Sequence, residues 1–364
     1  MTSLDDVKKM IKPGFETLTP YIPIEPTDVL SKRIDVALEN VIKLDGNENP
    51  YGCSPKVNQA LSRYPFYHIY PDPLQRELRQ ALEKYVGTPS KRIVAGSGSD
   101  ELIELILRLF LEPGDEVINC PPTFGMYPFC TEVCGGTVIN VPRLDDFSLD
   151  IESIKKVINE RTKVIFIASP NNPSGNVVRN VEIVELAKHR IILVVDEAYA
   201  EFSGSTVMPL LSDHPNLFLL RTFSKWAGIA GLRMGYGIFP ESIAEYIIKI
   251  KQPYNVNSAA QIAALASLDD IDYLRSTIKA IVDERKRLFD QLSMFQWLKP
   301  YRSDANFILC SVLNGKAKEI HNQLQCKGIF IRYFDTPLLK NYIRITVGKP
   351  EHTDNIIAAL KEIC

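Results

Sequence analysis

One lysine stands at the end of an apolar run in a setting that favours chemistry. In RTFSKWAGIAGLRMGY, residues 221–236, Lys225 lies between hydroxyl-bearing residues and glycines, with Arg233 eight residues on. A lysine attacks a carbonyl only when part of it is unprotonated. Desolvation at the end of a buried strand and a neighbouring cation both lower its pKa. Lys225 is therefore the candidate Schiff-base nucleophile, set against the plainer reading of a surface lysine in a loop. Upstream, VVDEAYAEF places Asp196 directly after the apolar run 191–195 and Tyr199 three residues later. A carboxylate at the mouth of a sheet can pair with a protonated pyridine nitrogen and keep that ring an electron sink, and Tyr199 can donate to an oxygen on the same ring. Alone, Asp196 also reads as a helix N-cap or a metal-binding acid. In SPNNPSG, residues 169–175, Asn172 can add an amide donor to the ring oxygen, although such turns also serve as bare punctuation.

GSGSDELIELILRLF, residues 96–110, is a glycine-rich turn running into an amphipathic helix whose apolar positions 102, 105, 106, 109 and 110 keep helical spacing. Amides near Gly98, Ser99 and Asp100 can hold a phosphate, because unpaired N–H groups and the helix dipole favour an anion there. The segment is neither a Walker loop nor G-x-G-x-x-G, which argues against a nucleotide-dependent methyltransferase or dehydrogenase. Phe124, in PPTFGMY, can stack on a planar cofactor, although a buried phenylalanine is ordinarily core.

These residues need strands to carry them. Short β-branched runs at 92–95, 116–120, 164–168, 191–195, 217–220 and 234–238 alternate with amphipathic stretches, and most end in one of the turns named above. That is the α/β pattern of a mostly parallel sheet covered by helices, whose ligands bind at the carboxyl ends of the strands. The division expected is a large domain over 41–252, with a proline-rich arm over 1–40 (Pro13, Pro20, Pro23, Pro26) and a smaller α+β domain over 253–364. In the latter, helices at 258–268 and 272–295 lead to strands at 306–311, 329–333 and 342–347 and a last helix at 353–363. The 364 residues are 45% hydrophobic and 24% charged, with a formal net charge of −2. Such a chain is globular and offers no broad positive field to nucleic acid or an acidic membrane. Seven cysteines without a C-x-x-C pair argue against a disulfide framework or metal site and for a cytoplasmic protein. The first fifteen residues alternate charged and apolar positions, unlike a signal peptide, and no apolar run approaches the ~20 residues that span a bilayer.

Taken in order, these segments resemble the fold-type I pyridoxal phosphate aminotransferases, class II-like. KLDGNENPYG (43–52), IYPDP (69–73), SDANFIL (303–309) and YIRITVG (342–348) resemble the histidinol-phosphate aminotransferase family in particular. The similarity runs from about Tyr21 to the C-terminus. It implies pyridoxal 5'-phosphate on Lys225, with Asp196 at the pyridine nitrogen and Tyr199 and Asn172 at the phenolate oxygen. The cofactor phosphate would lie among Ser99, Asp100, Thr222, Ser224 and Arg233. A homodimer is implied, Tyr70 reaching the phosphate in the partner's site. Arg344 and Arg332 match anion-binding arginines, and Tyr21 and Asn47 fall at the substrate. The stacking position holds Phe124 where much of the family has tyrosine. The implied reaction is a ping-pong transamination of histidinol phosphate with 2-oxoglutarate, yielding glutamate, in histidine biosynthesis. An aromatic amino acid aminotransferase or a threonine-phosphate decarboxylase would share the cofactor residues. A non-enzymatic cofactor-binding regulator would need a DNA-binding module, for which the first 40 residues are too few and too proline-rich.

Overall fold

The structure is a computed structural model that describes residues 2–12, 14–16, 18–34 and 36–363, so Pro13 of the arm and Cys364 lie outside the described residues. Its strands are β1 (Ile42–Leu44), β2 (Ile93–Ser97), β3 (Glu116–Asn119), β4 (Thr137–Asn140), β5 (Thr162–Ala168), β6 (Ile192–Asp196), β7 (Leu217–Thr222), β8 (Met234–Ile238), β9 (Leu298–Pro300), β10 (Phe307–Val312), β11 (Ile329–Tyr333) and β12 (Tyr342–Thr346). They form a seven-stranded sheet, β2-β8-β7-β6-β5-β3-β4, and a five-stranded sheet, β1-β11-β12-β10-β9. In the large sheet only β8 runs against its neighbours.

Both faces of this sheet are buried, which is why its strands read as continuous apolar runs. Side chains alternate across the pleat. Ile165, Ile167, Leu193, Val195, Leu217 and Leu219 join one core, and Val164, Phe166, Val194, Phe218 and Leu220 join the core on the other face. The helix Gly98–Phe110 covers the second face, packing on β2, β7 and β8 through Leu102, Ile103 and Ile106. The first core continues into the smaller sheet through Ile308, Ile343 and Ile345.

Each of the six strands expected in the large sheet is present to within two residues, and so are the expected C-terminal strands. Three short strands were not anticipated: the edge strand β4 and the three-residue β1 and β9. Strand β1 falls inside the 41–252 unit by sequence but pairs in parallel with β11 in the smaller sheet. The arm is also less irregular than its prolines imply. Helices form at Leu4–Lys8 and Thr27–Ile34, the second starting directly after Pro26, since proline is compatible with a helix start but not its interior. Among the described residues no helix is long and apolar enough to cross a membrane, no group of His, Cys, Asp and Glu could hold a metal, and Cys53, Cys120, Cys130, Cys134, Cys310 and Cys326 are free thiols.

Candidate active site

Register brings the three turns together. Asp196 is the Cα partner of Ala168 on one side and Leu220 on the other, so SPNNPSG, DEAYAEF and RTFSK start at the same level along β5, β6 and β7. They open into a cavity of about 820 Å³. Every site residue chosen from the sequence lines it except Tyr70: Tyr21, Asn47, Ser99, Asp100, Phe124, Asn172, Asp196, Tyr199, Thr222, Ser224, Lys225, Arg233, Arg332 and Arg344. Tyr70 is 76% exposed and stacks on Tyr254, ring centroids 4.3 Å apart.

The Lys225 amine donates to the Gly46 carbonyl at 3.0 Å. Burial first, then the Arg344 and Arg233 charges, push its pKa down to about 8, so an appreciable fraction is free amine near neutrality. The Asp196 carboxyl is driven the other way, to about 6, by burial. Its Oδ1 accepts from the Ala198 N–H at 3.1 Å and its Oδ2 from the Tyr127 hydroxyl at 2.8 Å. Burial pushes the Tyr199 phenol up to about 12, so it stays an O–H group, and it accepts from Asn47 Nδ2 at 3.0 Å. Asn47 is itself held by Thr346, with its backbone in the left-handed region at φ 54°, which asparagine tolerates better than most residues.

At the other end of the cavity the hydroxyls of Thr222 and Ser224 lie 2.9 Å apart beside Ser99 and the start of helix Gly98–Phe110. Arg233 crosses to Asp100, Nη2 to Oδ2 at 2.6 Å, from a backbone at φ 57°, a conformation costly for arginine. Two glycines let the segments approach. A Cβ on Gly98, at φ 78°, would stand 2.6 Å from Arg233 Nη2, and one on Gly235 would stand 2.5 Å from the Ser99 nitrogen. The result is a set of hydroxyls, amides and a guanidinium at a helix N-terminus, which suits a phosphate.

The third region is cationic. Arg344 is buried, with Nη1 donating to Asn172 Oδ1 at 2.6 Å, Nη2 to the Asp45 carbonyl, and Nε without a partner. Burial pushes its pKa down to about 10, which leaves it charged. Both bonded acceptors are neutral, so this buried cation is short of an anion. Arg332 lies half-buried beside it and donates to the Ile22 carbonyl at 3.3 Å. Phe124 also faces the cavity, edge-on to Tyr21 and Tyr127 at 6.3 and 5.6 Å.

Two structural features near the cavity escaped the sequence reading. Tyr127 ends the segment PPTFGMY, but a tyrosine on an apolar helix reads as core. The pair Glu197–Arg221 ties the ends of β6 and β7 together on the far side of the sheet. Glu197, 1% exposed, accepts from Arg221 Nε at 3.0 Å and Nη2 at 2.7 Å.

The family model for aminotransferase class I and II matches residues 39–360. Histidinol-phosphate aminotransferase of Dehalococcoides mccartyi is 49% identical over 358 residues, covering 98% of this chain and 99% of that protein. The chloroplastic histidinol-phosphate aminotransferase of Nicotiana tabacum is 49% identical over 354 residues, covering 96% and 86%. The chain belongs to the class I and II aminotransferases, in the histidinol-phosphate aminotransferase family. Among solved structures, the histidinol-phosphate aminotransferase of Sinorhizobium meliloti in complex with pyridoxal-5'-phosphate superposes on this aminotransferase with a TM-score of 0.86 at 28% identity, covering 98% of each chain. The fold is the fold-type I arrangement that the resemblance implies. The family uses pyridoxal phosphate, and its substrates are small molecules.

Proposed function

We propose that this aminotransferase moves the amino group of histidinol phosphate to 2-oxoglutarate, with pyridoxal 5'-phosphate as cofactor. The observation that carries the reading is a buried lysine of lowered pKa facing, in one cavity, a buried carboxylate, a hydroxyl-lined helix N-terminus and a guanidinium with an unpartnered nitrogen. The donor set fits the cofactor: Ser99, Asp100, Thr222, Ser224 and Arg233 would hold its phosphate, Phe124 would face its ring, Tyr199 and Asn172 would meet its phenolate oxygen and Asp196 its ring nitrogen. When bound, the cofactor supplies a carbonyl that condenses with amines and a ring that accepts the electron pair left at the substrate Cα.

Lys225 then has two tasks. It would anchor the cofactor at rest, and its freed amine would take the proton from the substrate Cα and deliver it, as general acid, to the cofactor carbon that receives the amino group. Asp196, ionised at neutral pH, would stabilise a positive ring nitrogen. Arg344 and Arg332 bind the anionic end of either substrate, and Tyr21 and Asn47 close on the rest. Two bound anions, the cofactor phosphate and the substrate's, thus meet separate cationic groups at opposite ends of one cavity.

The assembly proposed is a homodimer in which Tyr70 reaches the partner's phosphate site, in keeping with its exposure and its place outside this chain's own cavity. Free cysteines support a cytoplasmic setting. The division into a large unit over 41–252 and a small unit over 1–40 and 253–364 fits the two sheets, with β1 lent to the smaller one.

Borohydride reduction followed by peptide mapping tests the central assignment. The reduced cofactor is expected on the peptide bearing Lys225, with turnover and the link both lost in Lys225→Ala. Retention of both would overturn it. A panel of amino donors with 2-oxoglutarate separates this activity from a decarboxylase of the same fold, since a keto product marks transamination and carbon dioxide marks decarboxylation.

A further inference from the structure

The two donors that hold Asp196 are not equivalent. The Ala198 N–H, 3.1 Å from Oδ1, belongs to the same turn as the carboxylate. The Tyr127 hydroxyl, 2.8 Å from Oδ2, comes from a separate element, the helix Met126–Val133, and so fixes the carboxylate relative to the rest of the cavity. Tyr127 is itself clamped. It is fully buried, its ring lies parallel to Phe166 at 4.9 Å and 4°, and it meets Phe124 edge-on at 5.6 Å and 83°. One side chain therefore touches both the acid and the ring that face the cofactor in the reading above.

We propose that Tyr127 is a positioning residue for Asp196: its hydroxyl aims the carboxylate at the nitrogen of the bound ring and favours the anionic form, while its ring braces Phe124. The proposal rests on the reading that Asp196 serves the ring nitrogen. An ionised carboxylate only accepts hydrogen bonds, so a fixed O–H donor stabilises that form over the acid. The surroundings otherwise work against ionisation. Burial raises the Asp196 pKa, and Asp100 and Glu197 add to the rise, while the hydrogen bonds from Tyr127 and the Ala198 N–H lower it. Among the neighbouring titratable groups, Tyr199 also interacts with the Asp196 charge, and the Arg143 charge acts on Tyr127. Tyr127 remains a donor because burial, then Asp196, hold its phenol well above the ordinary value.

Tyr127→Phe removes the hydroxyl and leaves the ring contacts with Phe166 and Phe124 in place. Two measurements read the consequence. Isotope-edited infrared spectroscopy of cofactor-free protein, with the Asp196 band assigned through Asp196→Asn, follows the carboxyl titration. Its midpoint is expected near 6 in the wild type and about one unit higher in Tyr127→Phe, the effect of losing one hydrogen bond to a charged group. In the holoenzyme, the 15N shift of ring-labelled pyridoxal phosphate reports protonation of the ring nitrogen, and Tyr127→Phe is expected to lose that proton at a lower pH than the wild type. A structural role alone would move neither midpoint, and a wild-type value for either overturns the proposal while the functional reading stands. If Asp196→Asn itself leaves the ring nitrogen protonated as in the wild type, the functional reading fails and the proposal fails with it.

Discussion

Arg332 and Arg344 are Cα partners across the antiparallel pair β11–β12, so two guanidinium side chains rise from the same face of the smaller sheet. Phe334 lies against both, 5.7 Å from the Arg332 guanidinium carbon and 5.8 Å from that of Arg344. Like charges placed directly opposite repel, and the cavity they line is where an anion relieves the repulsion. Arg344→Ala is expected to lower kcat/KM for 2-oxoglutarate by about 10²-fold, since it removes a desolvated charge-assisted contact. Arg332→Ala, at a half-buried position, is expected to act mainly on KM and by about tenfold. Steady-state kinetics with both substrates check the order of the two effects.

Burial makes Lys225 expensive to charge. Its folded pKa of about 8 lies below the ordinary 10.5, so between these values the folded protein binds fewer protons than the unfolded chain and its stability rises with pH. Below that window the buried ammonium costs about 3 kcal/mol. Cofactor-free Lys225→Met is thus expected to unfold at a higher temperature than the wild type at pH 7, with the gap closing as pH climbs from 8 to 10.5. Asp196 has the opposite sign: its pKa is raised from 3.8 to about 6, so its contribution is full below 3.8 and is lost as pH rises through 6. Thermal unfolding across pH measures both.

The pair Glu197–Arg221 is deeply buried, with Thr206 and the Val207 N–H also donating to Glu197. Arg221→Ala leaves a buried carboxylate without its cation and is expected to destabilise the protein by about 3–5 kcal/mol. Denaturant unfolding gives the value. A loss under 1 kcal/mol would show that the pair does not hold β6 to β7.

The Tyr70 assignment predicts complementation. Hybrids formed from Lys225→Ala and Tyr70→Ala subunits would contain one site with both lesions and one with neither, as two-fold symmetry requires. Activity is expected in the mixture that neither parent shows. A mixture no more active than its parents would place Tyr70 outside the site.

Much of this was legible in the chain because Asn172, Asp196 and Lys225 each come just after a run of apolar residues, and strand ends in an open parallel sheet converge. Asp196 after Val195 and Lys225 after the run 217–220 are read that way. What stayed hidden depends on contacts between distant segments. Strand β4 is a half-exposed edge of four residues after two glycines, too short for alternation to show. Tyr127 is set apart from a core tyrosine only by the Asp196 oxygen that lies 69 positions away in sequence. The opposition of Arg332 and Arg344 depends on the β11–β12 register, which the loop between them sets and the spacing of the two arginines does not.

In the proposed reaction a lysine-anchored cofactor in this cavity takes an amino group from histidinol phosphate. The most direct measurement mixes purified holoenzyme with histidinol phosphate, without a keto acid, and follows the absorption of the bound cofactor. Conversion from the pyridoxal to the pyridoxamine form, reversed by 2-oxoglutarate, is the result expected. No conversion with histidinol phosphate, but conversion with phenylalanine or tyrosine, would contradict the substrate assignment.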